Sequence, residues 1–215
     1  MIRHHPPEDR LAAYAAGAPG AADALLVASH LVLCPDCRAR VADYEALGGM
    51  MLEELPAEAM ADGSLERALA QIQPAPEPPP PPRLPAAAPG SLLLPRPVCN
   101  LVGQDMDRLP WRGVGPGFHF HRLPVPGRAW LIRIAPGRAV PHHGHASEEM
   151  VLVLAGSYRD GAARYARGDV QVVGPETRHR PVAEPGQECL CLAVIEGPLR
   201  FSNPLGRLIG PLFGF

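Results

Sequence analysis

Two stretches of this 215-residue sequence carry histidine, cysteine and glutamate at spacings that suit metal ligands. The first reads HLVLCPDC and spans residues 30–37. His30 and Cys34 are four residues apart, so they share one face at the end of a helix. Cys37 lies three residues further, in a turn that enters the next helix. Thiolate and imidazole groups are the ligands that Zn²⁺ prefers in tetrahedral sites, so the stretch predicts a zinc site.

A closed zinc site needs a fourth ligand, and the candidates are His4 and His5 in the extended segment before Pro6. Two alternatives to zinc are a redox-active cysteine pair and two buried thiols beside an unrelated histidine. A redox pair of the thioredoxin type would follow a strand, whereas the residues before Cys34 have a helical pattern.

The second stretch reads PGRAVPHHGHASEEMVLVLAG, residues 136–156. His143 and His145 alternate, so on a strand both side chains point to the same side. Glu149 follows after a turn, at the start of an apolar strand, and His179 is the candidate that a partner strand would supply. Three imidazoles and one carboxylate predict a site for a divalent metal ion.

A proline-rich segment divides the elements that must position these residues. Residues 73–98 contain eleven prolines, which exclude both a helix and a sheet ladder and predict an extended link between two domains. Residues 1–72 predict four helices, around 8–16, around 21–33, from Cys34 onward, and after Ser64.

The fourth predicted helix carries a stripe of apolar residues at helical spacing, with Leu65, Leu69 and Ile72 among them. The stripe faces either the core or a partner, and in a domain this small we expect the core. Residues 99–215 predict short strands separated by glycine and proline, which indicates a small antiparallel barrel. The expected fold is therefore α + β, with two domains.

Charge is distributed unevenly between the two parts. Residues 1–72 contain 5 arginines and 11 acidic residues, whereas residues 99–215 contain 13 arginines and 10 acidic residues. The acidic part favours a basic partner, and the alternative is a solvated helical surface. The overall net charge of −2 argues against direct DNA binding. Neither a secretory signal nor a membrane span is predicted, so we expect a cytoplasmic protein.

The first stretch resembles the zinc-binding anti-sigma factors, which sequester extracytoplasmic-function sigma factors. The resemblance rests on His5, followed by HxxxCxxC, in a short acidic helical domain. It implies that the zinc ligands are His5, His30, Cys34 and Cys37, with His4 as the competitor for the first place.

The second stretch resembles the first motif of the cupins in every fixed position. His179 matches the histidine of the second cupin motif. Two positions depart from the pattern: Ala183 stands where an asparagine is expected, and the approach to His179 reads PETRH, residues 175–179. These departures keep a metal site but weaken the case for a standard cupin enzyme.

Taken together, the two parts resemble the ChrR-type anti-sigma factors. The resemblance includes YAAG at 14–17, CRAR at 37–40, PVAE at 181–184 and PLRF at 198–201. It implies an N-terminal zinc domain that binds a sigma factor one to one, and a second, zinc-binding cupin-like domain that releases it under singlet oxygen and related oxidants. It also implies a regulator rather than an enzyme.

Two other functions remain as alternatives. The second interpretation is that the cupin-like part is a metal-dependent dioxygenase or isomerase and that the N-terminal part is a structural module. An open coordination position would favour that enzyme, whereas four protein ligands are typical of a structural or sensory site. The third choice, a DNA-binding zinc finger, is disfavoured by the acidic N-terminal part.

Overall fold

The computed structural model of this chain describes residues 1–72, 94–103, 106–113, 115–197 and 199–201. The greater part of the predicted proline-rich link lies outside the described residues. Five α-helices occur in the described chain: α1 Glu8–Ala15, α2 Ala21–Leu33, α3 Pro35–Glu53, α4 Ser64–Ile72 and α5 Arg96–Val102. A short 3₁₀ helix, Met106–Arg108, follows α5.

The expectation of a compact four-helix domain needs correction. Four helices lie in residues 1–72 near the predicted positions, but none of the nine residues of α4 is buried against the described parts of the chain. A small core forms instead between α1, α2 and the first half of α3, around Leu11, Val27 and Val41. The fifth helix, α5, was not predicted because it lies in a proline-rich context.

Twelve short strands make up the rest of the described fold. Their bounds are β1 Arg112–Gly113, β2 Phe118–Arg122, β3 Ala129–Ile134, β4 His143–His145, β5 Glu149–Ala155, β6 Ser157–Asp160, β7 Ala163–Ala166, β8 Val170–Val173, β9 Arg178–His179, β10 Val182–Ala183, β11 Cys189–Ile195 and β12 Leu199–Phe201. All of the strand pairs are antiparallel.

The strands form three separate sheets, so the expectation of a closed barrel also needs correction. The largest sheet has six strands in the order β1-β2-β3-β11-β5-β8. Two smaller sheets have the orders β10-β6-β7 and β12-β4-β9. Strands of two to four residues in the smaller sheets leave too few ladder hydrogen bonds to join all the edges, and the described sheets stay open.

Both faces of the large sheet are buried, which explains why β11 is apolar at every position. Leu190, Leu192 and Val194 face a core shared with α2 and α5, while alternate residues face a core shared with β6 and β10. The α2 residues Leu25 and Leu26 belong to the first of these cores. The helical and cupin-like parts therefore pack against each other directly.

Candidate metal centres

The first group of predicted ligands comes together where α2 meets α3. One donor atom from each of His5, His30, Cys34 and Cys37 lies within 4.8 Å of every other. The Nδ1 atom of His5 is 3.5 Å from the Cys34 sulfur and 3.3 Å from the Cys37 sulfur. In a tetrahedral zinc site, bonds of about 2.3 Å to sulfur and about 2.0 Å to nitrogen place these atoms about 3.5 Å apart. The donor set therefore fits a zinc ion.

The junction between the two helices positions three of these side chains. Cys34 is the extended residue that separates α2 from α3, and Pro35 begins α3. The amide of Cys34 still donates to the carbonyl oxygen of His30, so the last turn of α2 runs directly into the turn that carries the thiols. Proline is well tolerated at the first position of a helix, because its missing N–H would have no intrahelical acceptor there.

The structure also distinguishes His5 from His4. The ring of His5 faces the two sulfur atoms, while the ring of His4 packs against Tyr165, with ring centroids 4.5 Å apart. His4 instead contributes backbone groups, and its carbonyl oxygen accepts from the amide of Val170. Of the two candidates for the fourth place, the fold brings His5 to the group.

Burial keeps His30 and Cys37 of this group uncharged when no cation is bound. Burial lowers the pKa of His30 to about 4, so its imidazole is neutral at physiological pH. Burial, together with the hydrogen bond that the Cys37 thiol donates to Cys34, raises the pKa of Cys37 to about 12. The positive N-terminal end of α3 therefore does not by itself produce a thiolate at Cys37. A metal ion would supply the missing positive charge.

The second group of predicted ligands lies inside the cupin-like part. Four side chains converge, and their donor atoms all lie within 4.8 Å of one another: those of His143, His145, Glu149 and His179. The Nε2 atom of His179 is 3.0 Å from Nε2 of His145 and 3.2 Å from Nε2 of His143. A carboxylate oxygen of Glu149 lies 3.2 Å from Nε2 of His145.

Sheet register brings these residues together. Strand β4 presents His143 and His145 on one side, as the alternation predicted, and His143 lies opposite His179 of β9. Glu149 begins β5 in the large sheet, four residues beyond His145. Gly156 ends β5 with a φ of +65°, and a Cβ there would lie 2.4 Å from the carbonyl oxygen of Glu188, so the position requires glycine.

Two histidines of the second group have their tautomers fixed by oxygen acceptors. His143 donates from Nδ1 to the carbonyl oxygen of Pro141 at 2.7 Å, and His179 donates from Nδ1 to the carboxylate of Asp160 at 2.7 Å. In the neutral rings, both Nε2 atoms then carry lone pairs that face each other across 3.2 Å. Such a contact is repulsive unless a cation lies between the lone pairs, so the residues present fit a divalent metal ion.

Burial sets the charges of this group as well. It lowers the pKa of His143 to about 4 and that of His145 to about 3, and it raises the pKa of Glu149 to about 8. With no metal bound, His143 and His145 are neutral and Glu149 is protonated at pH 7. A bound cation would favour the ionised form of Glu149, because the carboxylate would then lie beside an opposite charge.

Sequence reasoning missed the residues that support the ligands from outside. Asp160 lies 19 positions before His179 and carries no local signal, since an aspartate at the end of a strand is typical of a turn. In the turn before β8, Gly168 contacts His30, and Asp169 contacts the backbone just before His5, each across more than 130 residues. Only the tertiary fold reveals these contacts.

Cys189 and Cys191 are buried on β11, with their sulfur atoms 3.6 Å apart. Ala183, at the place of the missing cupin asparagine, is buried in the same core. None of these three residues belongs to a group of metal-binding side chains in the described chain.

Comparison with known proteins places this architecture in one family. Residues 100–200 match the family described as "ChrR Cupin-like domain". The chain is 41% identical, over 99% of its own length and 98% of the relative's, to anti-sigma-E factor ChrR of Cereibacter sphaeroides. It is also similar to ChrR in the crystal structure of Rhodobacter sphaeroides SigE in complex with the anti-sigma ChrR. That similarity has a TM-score of 0.77, with 38% identity, and covers 91% of this chain and 99% of the other.

The fold and its two donor groups thus define a helical domain joined to a cupin-like domain, each with a cluster of metal-binding side chains. The chain belongs to the ChrR family of anti-sigma factors. Within the described residues, no helix is long and apolar enough to cross a membrane.

Proposed function

We propose that this protein binds an extracytoplasmic-function sigma factor as a one-to-one complex and keeps it from RNA polymerase. The observation that carries the proposal is the similarity over nearly the whole chain to ChrR, a protein crystallised in complex with SigE. Under this proposal the protein is a cytoplasmic regulator that makes no direct contact with DNA or membrane.

The proposal assigns sigma binding to residues 1–72, separated by the link at 73–98 from a regulatory domain at 99–215. Its support is an apolar surface on the outer half of α3, the following loop and α4. The exposed residues of this α3–α4 surface are Leu47, Met50, Met51, Leu52, Leu55, Met60, Leu65, Leu69 and Ile72. Apolar surfaces of this extent usually mark protein interfaces. Acidic residues such as Glu53, Glu54 and Glu66 lie among them, which suits a basic partner.

The proposal also assigns one Zn²⁺ ion to each cluster. Two thiolates and two imidazoles at the first cluster are typical of structural zinc. Zinc also suits the three imidazoles and one carboxylate of the second cluster, a donor set that other divalent transition metals share. Four protein ligands favour a structural or sensory role for the second metal over the enzymatic alternative.

Release of the sigma factor under oxidative stress, including singlet oxygen, completes the proposal. Its support is the family resemblance and the chemistry of the second cluster, where oxidation of a ligand or of the nearby thiols would alter buried packing. A signal at this cluster can act on the partner only by changing the relative free energies of the bound and free states.

Co-purification of the full chain with each sigma factor of its own host is the direct test. We expect one extracytoplasmic-function sigma factor to co-elute at equal stoichiometry and to lose its activity in a purified transcription assay. A full chain that binds none of these sigma factors while retaining its metals would overturn the proposal.

The domain assignment has its own test. A chain that ends near Gln73 should still inhibit transcription, because the α3–α4 surface and the four first-cluster ligands are all present. The truncation exposes Leu25 and Leu26, so its unfolding should be compared with that of the full chain. A folded, metal-loaded truncation that did not inhibit would contradict the assignment.

A further inference from the structure

The turn between β7 and β8, residues 166–170, touches the first metal-binding cluster from the cupin-like side. His30 donates from Nδ1 to the carbonyl oxygen of Gly168 at 2.9 Å. This bond fixes the tautomer, so the lone pair lies on Nε2, an atom that is buried and has no hydrogen-bond partner in the described chain. The cupin-like domain therefore orients one ligand of a cluster that belongs to the helical domain.

Asp169 holds the segment that delivers a second ligand, His5. Its side chain is buried, and one carboxylate oxygen accepts from the amides of Arg3 at 2.6 Å and His4 at 3.0 Å. The other oxygen accepts from the amide of Ala166 at 2.8 Å, which ties the carboxylate to its own turn. The amide of Val170 donates to the carbonyl oxygen of His4 at 3.0 Å. The backbone before His5 is thus bound to the turn at three points.

Close packing accompanies these hydrogen bonds. Gly168 has a φ of +93°, and a Cβ at this position would lie 2.5 Å from Cδ1 of Ile2. The N-terminal segment therefore packs directly against the backbone of Gly168, where any side chain would displace it.

We propose that Asp169 is a positioning residue for the first cluster, and that through it the cupin-like domain raises the metal affinity of the helical domain. The inference rests on the proposed metal binding at this cluster. The sequence HxxxCxxC places three ligands locally, but His5 is 25 residues from His30 and reaches the cluster only if its segment is held. Without Asp169 the segment gains conformational freedom, and ordering it must then be offset by metal binding.

Strand β8, which follows this turn, also contacts the surroundings of the second cluster. Gln171, two residues after Asp169, donates from Nε2 to the Asp160 oxygen that accepts the Nδ1–H of His179, with both distances 2.7 Å. Tyr158 donates to the other side of the Gln171 amide, also at 2.7 Å. One short length of chain therefore contacts groups that support both clusters.

Cobalt(II) titration of the full-length, metal-free protein tests the proposal. Sulfur ligation of cobalt produces a near-ultraviolet charge-transfer band, and among the two clusters only the first contains cysteine. In Asp169→Asn, we expect the dissociation constant read from this band to rise about tenfold, because loss of an outer-shell hydrogen bond typically costs that much metal affinity. The visible ligand-field bands should also change, since the fourth ligand is displaced.

Three further variants make the result specific. Asp43→Asn, on the exposed side of α3, should bind cobalt as the wild type does. Ile134→Ala removes apolar volume from the core of the cupin-like domain at a residue that lies in neither the turn nor the N-terminal segment, and it should also leave the band unchanged. Ile2 lies outside the sheets, so Ile2→Ala provides a second test if Asp169→Asn fails to fold. It should weaken cobalt binding severalfold.

The outcomes separate this inference from the proposed function. A wild-type protein without the charge-transfer band would overturn metal binding at the first cluster itself. Wild-type affinity in folded Asp169→Asn and in Ile2→Ala would overturn the positioning role alone. Weakening by Ile134→Ala as large as that by Asp169→Asn would reduce the effect to general instability and would also overturn it.

Discussion

His30, His143 and His179 share one hydrogen-bonding arrangement. Each donates from Nδ1 to an oxygen atom, which leaves Nε2 unprotonated and directed at its cluster. The acceptors are two backbone carbonyls and one carboxylate, and none of them is adjacent to its histidine in sequence. Ligand types and spacing could therefore be predicted from the sequence, whereas the groups that orient the ligands could not.

Replacing Cys34 with alanine or Cys37 with serine should remove metal and inhibition together. A structural zinc site contributes directly to folding, so loss of a ligand should cost several kcal/mol of unfolding free energy. Zinc content after gel filtration and inhibition of sigma-dependent transcription would be measured on the same samples.

Cys99→Ala provides the control for these variants, because Cys99 is a buried thiol outside both clusters. It should keep its zinc and its inhibition. A Cys34 variant that had lost its metal but still inhibited would show that this zinc is accessory.

Glu149 should make the stability of the metal-free protein depend on pH. Its pKa is about 8 in the folded chain against an ordinary value of 4.5, so between these values the folded state binds more protons than the unfolded state. Unfolding free energy therefore falls as pH rises, by about 1 kcal/mol between pH 7 and 8. His143 and His145, with lowered pKa values, act in the opposite direction, but their effect ends near pH 6.5.

Urea unfolding of chelator-treated protein at pH 7 and pH 8 measures this slope. Glu149→Gln should flatten it, while Glu148→Gln, the half-buried neighbour, should leave it unchanged. Equal slopes in the wild type and in Glu149→Gln would contradict the assignment of this titration to Glu149.

Among the elements, α3 and α4 show where periodicity alone is insufficient. The apolar stripe on α4 was expected in a core, yet Leu65, Leu69 and Ile72 are 65%, 49% and 70% exposed. An amphipathic pattern predicts that a face will be covered but does not say whether the cover comes from the same chain. Helix α3 also has apolar residues at helical spacing. Val41 is buried and Leu47 is exposed, because the helix extends beyond the body of the domain.

Leu69→Glu should abolish or greatly weaken sigma-factor binding without affecting the fold. Leu69 is about half exposed, so the change in unfolding free energy should stay within about 0.5 kcal/mol. A charge placed in an apolar interface should cost about 2 kcal/mol or more of binding free energy. Calorimetric titration with the co-purified sigma factor measures the loss, and Gln71→Glu, on the other side of α4, is the matched control.

The strands show a similar limit of prediction. The long apolar strands β3, β5 and β11 follow from runs such as AWLIRI and CLCLAVI, but β1, β9 and β10 contain two residues each and have no pattern to detect. Composition alone also could not show that the six-stranded sheet is covered by α2 and α5 on one side and by the smaller sheets on the other. That arrangement depends on contacts distant in sequence.

At the scale of the whole molecule, polar contacts in the described chain connect the helical domain to the surroundings of the second cluster at two places. Asp169 and Gln171 form one of them. The other is the ion pair between Arg10 of α1 and Glu148, the residue before Glu149, with 2.5 Å between nitrogen and oxygen. A change in the second cluster therefore has direct physical neighbours in the domain that we propose binds the sigma factor.

Replacing His143, His145, Glu149 or His179 should leave inhibition intact but abolish release under oxidative stress. The first cluster has four ligands of its own, so the sigma-binding domain should still fold when the second cluster loses its metal. Release from 1% to 99% free sigma factor requires the signal to shift the equilibrium by about 5.5 kcal/mol. Oxidation of a ligand or of a nearby thiol in the intact cluster would have to supply that shift, whereas a variant without the cluster has no such change left to make.

A reporter driven by the sigma-dependent promoter, measured in the dark and with a photosensitiser in light, distinguishes the outcomes. The four ligand variants should stay low in both conditions. His142→Ala is the control, because His142 is exposed beside His143 and lies outside the cluster, and it should be induced as the wild type is. Full induction in the ligand variants would contradict the sensor role and make a metal-dependent enzyme the better account of the cupin-like domain. High activity already in the dark would instead mean that the second metal is required for inhibition itself.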